Sequence, residues 1–440
     1  MRKTNGLALP PVATQLQMKP PFQQETNQLV AHLLRHQSGR IVATLARVFG
    51  ARHLDLAEDV VQDALVKALQ HWPFKGIPEN PAGWLTLVAK NRALDLLRRD
   101  DSLAHKISEV ERLSEPALHS ASFRQPAPHT EMDDQLALIL MCSHPALPIE
   151  CQVSLTLKTV CGFSTAEIAR AFLTPEATIA QRLVRAKRQI RARGIVIDPP
   201  SPDELPQRLE SVLRVIYLMF NEGYSASSGD DLVRTELCEE AIRLASLLLE
   251  HRQSQTHAVH ALLALMLLQA ARLPARTQAD GGFVLFRNQD RSLWDGGLIA
   301  LGLRHFGESA GGDRLTTYHL QAEIAAVYAT AASDAEISWE KITELYLQLY
   351  SIEPTPIVAL NGAIARALWQ GPEAGLLALD EISSHPAMRN YHLFPAARAE
   401  LLRQLGDYPA AAESYQIALQ SPCSGSERRF LEEQLAAVRR

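Results

Sequence analysis

Six cationic side chains in one short stretch are the groups of this sequence best suited to bind a charged partner. Between Glu176 and Arg193 the chain carries six Lys/Arg against a single anion, Glu176 itself. Lysine and arginine neutralise phosphates, and an affinity built on such contacts falls steeply as salt is added. The stretch therefore indicates a polyanion partner, although a solvated amphipathic helix with a basic face would have the same composition.

These cations need a helix to position them, and the local sequence predicts two helices joined by a tight turn. Ser164 and Glu167 have the spacing of a capping box, which marks the start of the first helix. Thr174 is expected to cap the second helix, with Pro175 at its first position. The buried stripe of the second helix is predicted at Ile179, Leu183, Ala186 and Ile190.

The opposite side of the second helix is polar, as the major groove of DNA requires of a helix that enters it. Side chains near its N-terminal end are best placed to reach base edges, and those further along are suited to hold the phosphate backbone. We expect the base-edge contacts to come from Glu176, Thr178, Gln181 and Arg182. We expect the backbone contacts to come from Arg185 and Arg188.

A second charged segment, residues 55–70, predicts a helix with an acidic outer face. Apolar residues recur at helical spacing on its inner side, and anions near a helix N-terminus are favoured by the helix dipole. The outer face is either simply solvated or a docking surface for a basic partner. This acidic stripe consists of Asp55, Glu58, Asp59, Gln62 and Asp63.

The helical pattern breaks over residues 71–81, and a polar and basic helix is predicted over 81–100. Aromatic and cationic side chains together suit the capture of single-stranded nucleic acid, because bases stack on aromatic rings and cations follow the backbone. Trp72 and Trp84 are instead predicted to be core anchors. The candidate nucleic-acid contacts are Phe74, Lys75, Asn80, Lys90, Asn91, Arg92, Arg98 and Arg99.

Length and charge limit the class of protein. A chain of 440 residues is too long for one core, so two to four domains are expected. Residues 1–200 carry 24 Lys/Arg against 19 Asp/Glu, a net charge of +5, whereas the remaining residues carry 20 against 30, a net charge of −10. The basic front half suits a polyanion partner, and the acidic back half argues against DNA binding there.

Missing motifs exclude several functions. The chain has no phosphate-binding loop, no H-E-x-x-H pair and no G-x-G-x-x-G turn, so neither an enzyme activity nor a cofactor is expected. Five scattered cysteines indicate free thiols in a reducing cytosol. Cys142, His144, Cys151 and Cys161 lie near one another but include no C-x-x-C pair, so no metal is expected. The N-terminus shows no signal segment, and the apolar run Ala261–Ala271 is too short to cross a bilayer, so no membrane contact is expected.

The pattern along the chain predicts an all-α fold. The exception is 275–286, where Asp280-Gly281-Gly282 suggests a surface β-hairpin. Residues 396–422 fit the second part of a tetratricopeptide unit, with Gly371 lying 35 residues before Gly406; a generic helical bundle is the alternative. The predicted divisions are a disordered tail 1–24, a helical domain 25–100, a linker 101–133, a helix-turn-helix domain 134–197, a Pro-rich linker 198–206 and a helical C-terminal domain 207–440.

An acidic helix, an aromatic-containing loop, a basic helix, a linker and a helix-turn-helix in this order resemble a bacterial RNA polymerase sigma factor of the extracytoplasmic-function class. DLAEDVVQDAL (55–65) resembles the segment that binds the polymerase β′ clamp. WLTLVAKNRALDLLRR (84–99) resembles the helix that meets the minus-ten element, and STAEIARAFLTPEATIAQRLVRAKRQI (164–190) resembles the minus-thirty-five reader. NEGYSASSG (221–229) and NQDRSLW (288–294) resemble a subgroup with a long helical extension.

The resemblance implies that the chain binds promoter DNA and core RNA polymerase, at the β′ clamp and the β flap, in the cytoplasm. It also implies that the C-terminal domain regulates the front half in cis, with an unidentified ligand or protein as its own partner. The polar NEGYSASSG loop is either a plain connector or part of such a contact. A ligand-responsive helix-turn-helix regulator would leave residues 55–99 without a task, and a pure scaffold would leave the cationic helix unexplained.

Overall fold

The computed structural model describes residues 23–98, 134–172, 174–197, 200–224, 233–276, 284, 286–312, 314–389, 391–421, 423 and 425–439. Within these ranges every regular element is helical, which confirms the predicted all-α fold. Several predictions fall outside the described residues: the tail before residue 23, the side chain of Arg98, Arg99, the linker 101–133 and residues 225–229 of the polar loop.

Helix α3 is the centre of the first helical domain, and it meets α4 at a pair of tryptophans. Helix α3 contacts α1, α2 and α4. Trp72 is buried and meets Trp84 edge-on with ring centroids 5.3 Å apart, a preferred aromatic geometry, which confirms both residues as core anchors. The helices are α1 Gln23–His36, α2 Ser38–Phe49, α3 Leu54–Lys75 and α4 Pro81–Arg98.

The structure corrects the predicted break over residues 71–81. Helix α3 continues through Pro73 to Lys75, so only residues 76–80 connect it to α4. A proline inside a helix removes one backbone hydrogen bond. Here the burial of Trp72 and Pro73 against the core outweighs that loss. Phe74 and Lys75 therefore belong to the last turn of α3 rather than to a loop.

Four further helices form the predicted helix-turn-helix domain. Ser164 N donates to Glu167 Oε2 (2.7 Å) and Glu167 N donates to Ser164 Oγ (3.1 Å), which confirms the capping box. The Thr174 hydroxyl instead donates to the Phe172 carbonyl, and Pro175 takes the cap position of the last helix, so the predicted Thr174 cap is wrong. The helices are α5 Asp134–Cys142, α6 Ile149–Leu155, α7 Thr165–Ala171 and α8 Glu176–Arg193, and α6 continues into a π-turn, Thr156–Val160.

Eleven helices follow in the described part of the C-terminal domain. One apolar core runs from α1 through α8 into α9–α13, and three smaller clusters hold the later helices together. The helices are α9 Leu205–Tyr224, α10 Thr235–Glu250, α11 His257–Ala270, α12 Gly296–Ser309, α13 Thr317–Thr330, α14 Trp339–Ile352, α15 Pro356–Gln370, α16 Pro372–Ile382, α17 Leu393–Gln404, α18 Tyr408–Gln420 and α19 Gly425–Val438.

The predicted hairpin at 275–286 lies mostly outside the described residues. At its far end Phe286 begins a helical turn, Phe286–Asn288, rather than continuing a strand. The Phe286 ring packs against those of Trp294 and Tyr328, with centroids 6.0 Å and 4.9 Å away. Phe286 is therefore packed by aromatic contacts and does not need a paired strand to hold it in place.

The final helix pair has the interlocking small and aromatic residues that the repeat pattern predicts. Ala411, Tyr415 and Ala418 are buried on α18, and Tyr415 Oη lies 3.4 Å from Glu400 on α17. Gly406 turns the chain with a φ of 80°, which only glycine adopts readily, and Asp407 caps α18. The assignment of this pair to tetratricopeptide repeats stays a prediction.

The most apolar helix, α11, continues through a short helical turn to Ala275. This 19-residue stretch, His257–Ala275, has a mean hydropathy of 1.5 and is long and apolar enough by these two measures to cross a membrane. However, 67% of this stretch is buried inside the protein. Helix α11 contacts α10, α12 and α13, which supports the predicted core position.

Candidate nucleic-acid and partner interfaces

Helix α8 exposes the polar side chains that the sequence singled out. Its apolar stripe at Ile179, Leu183, Ala186 and Ile190 is buried, as predicted. Gly194 ends the helix in the left-handed conformation, with a φ of 62°. Glu176, Gln181, Arg185 and Arg188 are exposed, and Thr178 and Arg182 are half-buried.

The cations on this polar face are available to a ligand. Among the described residues, Arg185 and Arg188 form no ion pair, and no described residue bonds to Gln181. Unpaired guanidinium groups on one exposed helix face can each neutralise a phosphate. The face therefore has the charge and accessibility that duplex binding requires.

The other flank of α8 is turned toward the acidic stripe of α3. Lys187 Nζ lies 2.6 Å from Asp55 Oδ1 and 2.7 Å from Glu58 Oε2, and Arg191 Nη1 lies 2.9 Å from Asp55 Oδ2. We call these four side chains the Lys187 clasp. The clasp joins the helix-turn-helix domain to the first helical domain across more than 120 residues of sequence.

The structure corrects the prediction that Glu58 lies on an exposed face. The residue is 8% exposed, and Glu58 Oε1 accepts a hydrogen bond from Thr159 of the π-turn. Burying a carboxylate is costly unless it is paired and hydrogen-bonded, and both conditions are met here. The inner part of the acidic stripe is thus covered by the helix-turn-helix domain.

Protonation equilibria in the clasp favour the charged pair. Burial alone would raise the pKa of Asp55, but the hydrogen bonds and charges of Lys187 and Arg191 outweigh it and lower this pKa below 3.8. Burial alone would lower the pKa of Lys187, but Glu58 and Asp55 raise it above 10.5. The contribution of Asp55 is therefore lost only as pH falls through its lowered pKa, and that of Lys187 only as pH rises through its raised pKa.

Because the pKa of Asp55 is lowered and that of Lys187 is raised, both groups stay charged near neutrality, and the stability of the closed arrangement should not depend on pH there. The free energy of unfolding contributed by the clasp, measured by denaturant titration of the chain against Lys187→Ala, should stay constant between about pH 5 and 9. A large change between pH 6 and 8 would contradict the assignment of the clasp to these two groups.

Two glycines allow the domains to approach closely beside the clasp. A Cβ at Gly39 on α2 would lie 2.0 Å from the Val160 carbonyl oxygen, and one at Gly162 would lie 2.4 Å from the Leu34 carbonyl oxygen. Arg47 on α2 also pairs with Asp134 at the start of α5. The contact between the domains is therefore tightly packed as well as charged.

The remaining residues of the acidic stripe face solvent. Asp59, Gln62 and Asp63 are exposed, and Asp63 Oδ2 lies 3.1 Å from Arg92 Nε. Burial and the neighbouring carboxylates raise the pKa of Asp59 despite the opposing charge of Lys187. This outer part of the stripe is accessible to a basic partner.

The turn between α3 and α4 gathers several of the predicted single-strand contacts. Phe74 is 71% exposed, which is unusual for a phenylalanine, and Lys75 beside it is also exposed. Asn80 Oδ1 accepts from Gly83 N at 2.9 Å, so this side chain caps α4, a role that its sequence position did not reveal. On α4, Asn91 is exposed while Lys90 and Arg92 are half-buried.

The C-terminal domain docks on the helix-turn-helix domain. Helix α9 contacts α5 and α6. Arg234, just before α10, donates to the Ala171 carbonyl at the end of α7 and pairs with Glu222 at 2.8 Å. Burial and the charge of Arg208 on α9 lower the pKa of His144 to about 4, so this histidine is neutral at the same interface.

Comparisons with known proteins divide the chain into corresponding parts. Residues 33–102 match the Sigma-70 region 2 family, residues 137–190 match the Sigma-70 region 4 family, and residues 208–310 match a family of unknown function, DUF6596. An uncharacterised protein of Rhizobium meliloti (strain 1021) is 37% identical over 402 residues, 90% of this chain and 92% of that protein. No solved structure matches the chain significantly.

Helices α1–α4 and α5–α8 thus define a sigma factor, a protein that binds core RNA polymerase and promoter DNA and directs promoter-specific transcription initiation. The chain belongs to the extracytoplasmic-function class of bacterial sigma factors and carries an additional C-terminal domain. Proteins of this family bind and position their partners without performing bond chemistry. The region 2 match over residues 33–102 accounts for helices α1–α4, which an ordinary helix-turn-helix regulator would not need.

Proposed function

We infer that this sigma factor is regulated in cis by its own C-terminal domain. In the proposed complex α8 contacts the minus-thirty-five duplex, and the α3–α4 turn contacts the melted minus-ten strand. The outer acidic stripe docks on the β′ clamp, the helix-turn-helix domain meets the β flap, and the complex works in the cytoplasm with the polymerase. Two observations carry the regulatory part: the Lys187 clasp holds the two promoter-contacting domains together, and Arg234 attaches the C-terminal domain to one of them.

The distances on a promoter support the need for these domains to separate. Elements centred near minus ten and minus thirty-five lie about 25 base pairs apart, or about 85 Å along DNA at about 3.4 Å per pair. Domains joined by a direct ion pair cannot sit on both elements at once. The arrangement described here is therefore a closed, resting one.

The linker is long enough to permit the opening. Residues 101–133 are 33 in number, and a chain of that length reaches at most about 110 Å when extended. The two domains can therefore separate to the promoter spacing without unfolding. The contacts that must break first are the clasp, the Arg47–Asp134 pair and the apolar packing beside Gly39 and Gly162.

The C-terminal domain controls this step through its contact with the helix-turn-helix domain. Arg234 and helix α9 attach it to α5, α6 and α7, while the polar face of α8 stays exposed at Gln181, Arg185 and Arg188. It can fix the helix-turn-helix domain in the closed position, or hold it correctly once the clasp has opened. Both are forms of regulation in cis, and they predict opposite results on truncation.

Run-off transcription with purified core polymerase tests the proposal. The full chain and residues 1–206 should differ in activity by about tenfold or more, since a change of about 1.4 kcal/mol in the balance between closed and open states is enough for a factor of ten. Higher activity on truncation would identify the domain as an inhibitor, and loss of activity would identify it as a required part. Equal activity would contradict regulation in cis.

A point substitution tests the same contact without removing a domain. Arg234→Ala should change transcription in the same direction as truncation, because it removes both the hydrogen bond to the Ala171 carbonyl and the ion pair with Glu222. Arg252→Ala, which removes an exposed arginine from the same domain, is the matched control and should leave activity unchanged. If both variants behave alike, the Arg234 contact has no regulatory role.

Substitutions on α8 test the duplex-binding face. Arg185→Ala should weaken binding to all upstream promoter sequences alike and reduce the slope of log affinity against log salt by about one, as expected for one lost phosphate contact. Gln181→Ala should instead change the sequence preference. Gel shifts of the polymerase complex at several salt concentrations measure both effects, with Arg193→Ala as a control outside the face. An unchanged salt slope for Arg185→Ala would contradict its assignment.

A further inference from the structure

Two histidines and a glutamate converge between helices α11 and α12 of the C-terminal domain. His260 Nδ1 and His305 Nδ1 lie 3.0 Å apart. Glu308 Oε2 lies 3.0 Å from the first of these nitrogens and 3.1 Å from the second. Residues three apart share a helix face, so α12 supplies His305 and Glu308 together and α11 supplies His260. The three atoms form a nearly equilateral triangle.

Hydrogen bonds alone do not satisfy this triangle. A neutral imidazole offers either one N–H or one lone pair at Nδ1. If both nitrogens donate to Glu308, two N–H groups face each other at 3.0 Å; if only one donates, the lone pair of the other faces a carboxylate. With Glu308 ionised and both imidazoles neutral, every arrangement leaves one repulsive contact, whereas a cation beside the three atoms is attracted by all of them.

We propose that His260, His305 and Glu308 bind a divalent transition-metal ion of the zinc type. Two imidazole nitrogens and one carboxylate oxygen form a ligand set that zinc uses in proteins. Zinc–ligand bonds of about 2.0–2.1 Å in a tetrahedral site place the ligand atoms about 3.3 Å apart. The three atoms therefore need to move apart by only a few tenths of an ångström.

The fourth coordination position faces solvent. The Glu308 side chain is 44% exposed and that of His260 is 21% exposed, whereas His305 is nearly buried. Three protein ligands with one open position allow a water molecule, or a ligand atom from outside, to complete the tetrahedron. The site thus differs from the closed four-ligand sites that only hold a fold together.

The charge state of the cluster suits a metal. Burial lowers the pKa of His260 and of His305 despite the opposing charge of Glu308, so both imidazoles are neutral near pH 7, which is the ligating form. Arg304 Nε lies 3.6 Å from the other carboxylate oxygen, Glu308 Oε1, and its side chain is 64% exposed. This arginine therefore leaves Oε2 available.

The cysteines do not provide a competing site within the described residues. Cys142, Cys151 and Cys161 do not converge with His144, whereas the His260–His305–Glu308 group has ligand atoms within 4.8 Å of one another. Burial raises the pKa of the Cys142 and Cys161 thiols well above the ordinary value, which disfavours the thiolate that binds metal. The histidine–glutamate group is the better candidate.

Zinc binding to the purified full-length chain tests the site. After treatment with a chelator and dialysis, the chain should bind one equivalent of Zn²⁺ in competition with a chromophoric chelator. Its thermal midpoint should rise with added Zn²⁺, because the ion binds the folded state preferentially. Mg²⁺ should not substitute, since it prefers an all-oxygen octahedral site.

Conservative variants distinguish the site from adventitious binding. Glu308→Gln preserves the size of the side chain but removes its charge, and His305→Ala removes a ligand; each should weaken Zn²⁺ binding by more than the roughly 10–100-fold that loss of an outer-shell partner costs. The exposed His385 lies elsewhere in the same domain, and His385→Ala should bind normally. No Zn²⁺ bound, or equal binding and equal thermal shift in Glu308→Gln, would overturn the proposal whatever the transcription assays show.

Discussion

Lys187→Glu should bind core RNA polymerase about 30-fold more tightly than the unmodified chain. The substitution removes two charge-assisted hydrogen bonds from the closed arrangement and places a third carboxylate beside Asp55 and Glu58. A loss of about 2 kcal/mol from the closed state shifts its balance with the open state by about 30-fold. Apparent affinity increases with the fraction of binding-competent molecules. The affinity of each variant for core polymerase immobilised on a sensor surface measures the effect.

Arg193→Glu is the matched control for this prediction. It makes the same change of charge on the same helix, but Arg193 is exposed and outside the clasp. We expect its polymerase affinity to stay within about twofold of the unmodified chain, because exposed charges contribute little. Gly39→Leu offers an uncharged route to the same opening, since its side chain would meet the Val160 carbonyl. Equal affinities for Lys187→Glu and Arg193→Glu would show that the clasp does not limit polymerase binding.

Asp59→Lys should weaken polymerase binding by about 10- to 100-fold. Asp59 is exposed at the centre of the acidic stripe, where neighbouring carboxylates concentrate negative charge. Against a basic clamp surface the substitution replaces attraction with repulsion, which costs a few kcal/mol. The loss should shrink as salt is added, because exposed charges are screened. The same immobilised polymerase assay, repeated at several salt concentrations, measures both the loss and its salt dependence.

Asp95→Lys controls for the change in net charge. Asp95 is an exposed aspartate on α4, outside the acidic stripe, and its replacement should have little effect on polymerase binding. A combined Asp59→Lys and Lys187→Glu variant should bind weakly despite an open arrangement, because opening does not restore the docking surface. Normal polymerase binding by Asp59→Lys would show that the acidic stripe is not part of the polymerase interface.

Local patterns were sufficient to predict most of the helices. The capping box at Ser164 and Glu167, the buried stripe of α8 and the two core tryptophans follow from spacing and side-chain type alone, and the structure confirms them. Periodicity reports which face of one helix is apolar. Periodicity therefore predicts burial correctly for residues that pack against the core of their own domain.

The clasp and the metal site could not be predicted in this way because each depends on contacts distant in sequence. Glu58 looked like one more exposed anion until Thr159 and Lys187 were placed against it. The cysteines were the visible candidates for metal ligands in the sequence. The ligands proposed here include His260 and His305, which lie 45 residues apart and come together only in the fold. The His-x-x-Glu spacing of His305 and Glu308 was a usable signal, since it puts both ligands on one helix face. The break wrongly predicted at Pro73 shows that burial can also outweigh a local helix-breaking signal.

The most direct measurement is the distance between α3 and α8 in the free chain and in a transcribing complex. Spin labels at Lys67 and Arg193, both exposed and outside the proposed contacts, would report it by pulsed electron resonance. We expect a short distance in the free chain and an increase of several tens of ångströms when core polymerase and a promoter are added. A distance that stays short while transcript is produced, or a chain that binds no polymerase in any form, would contradict it.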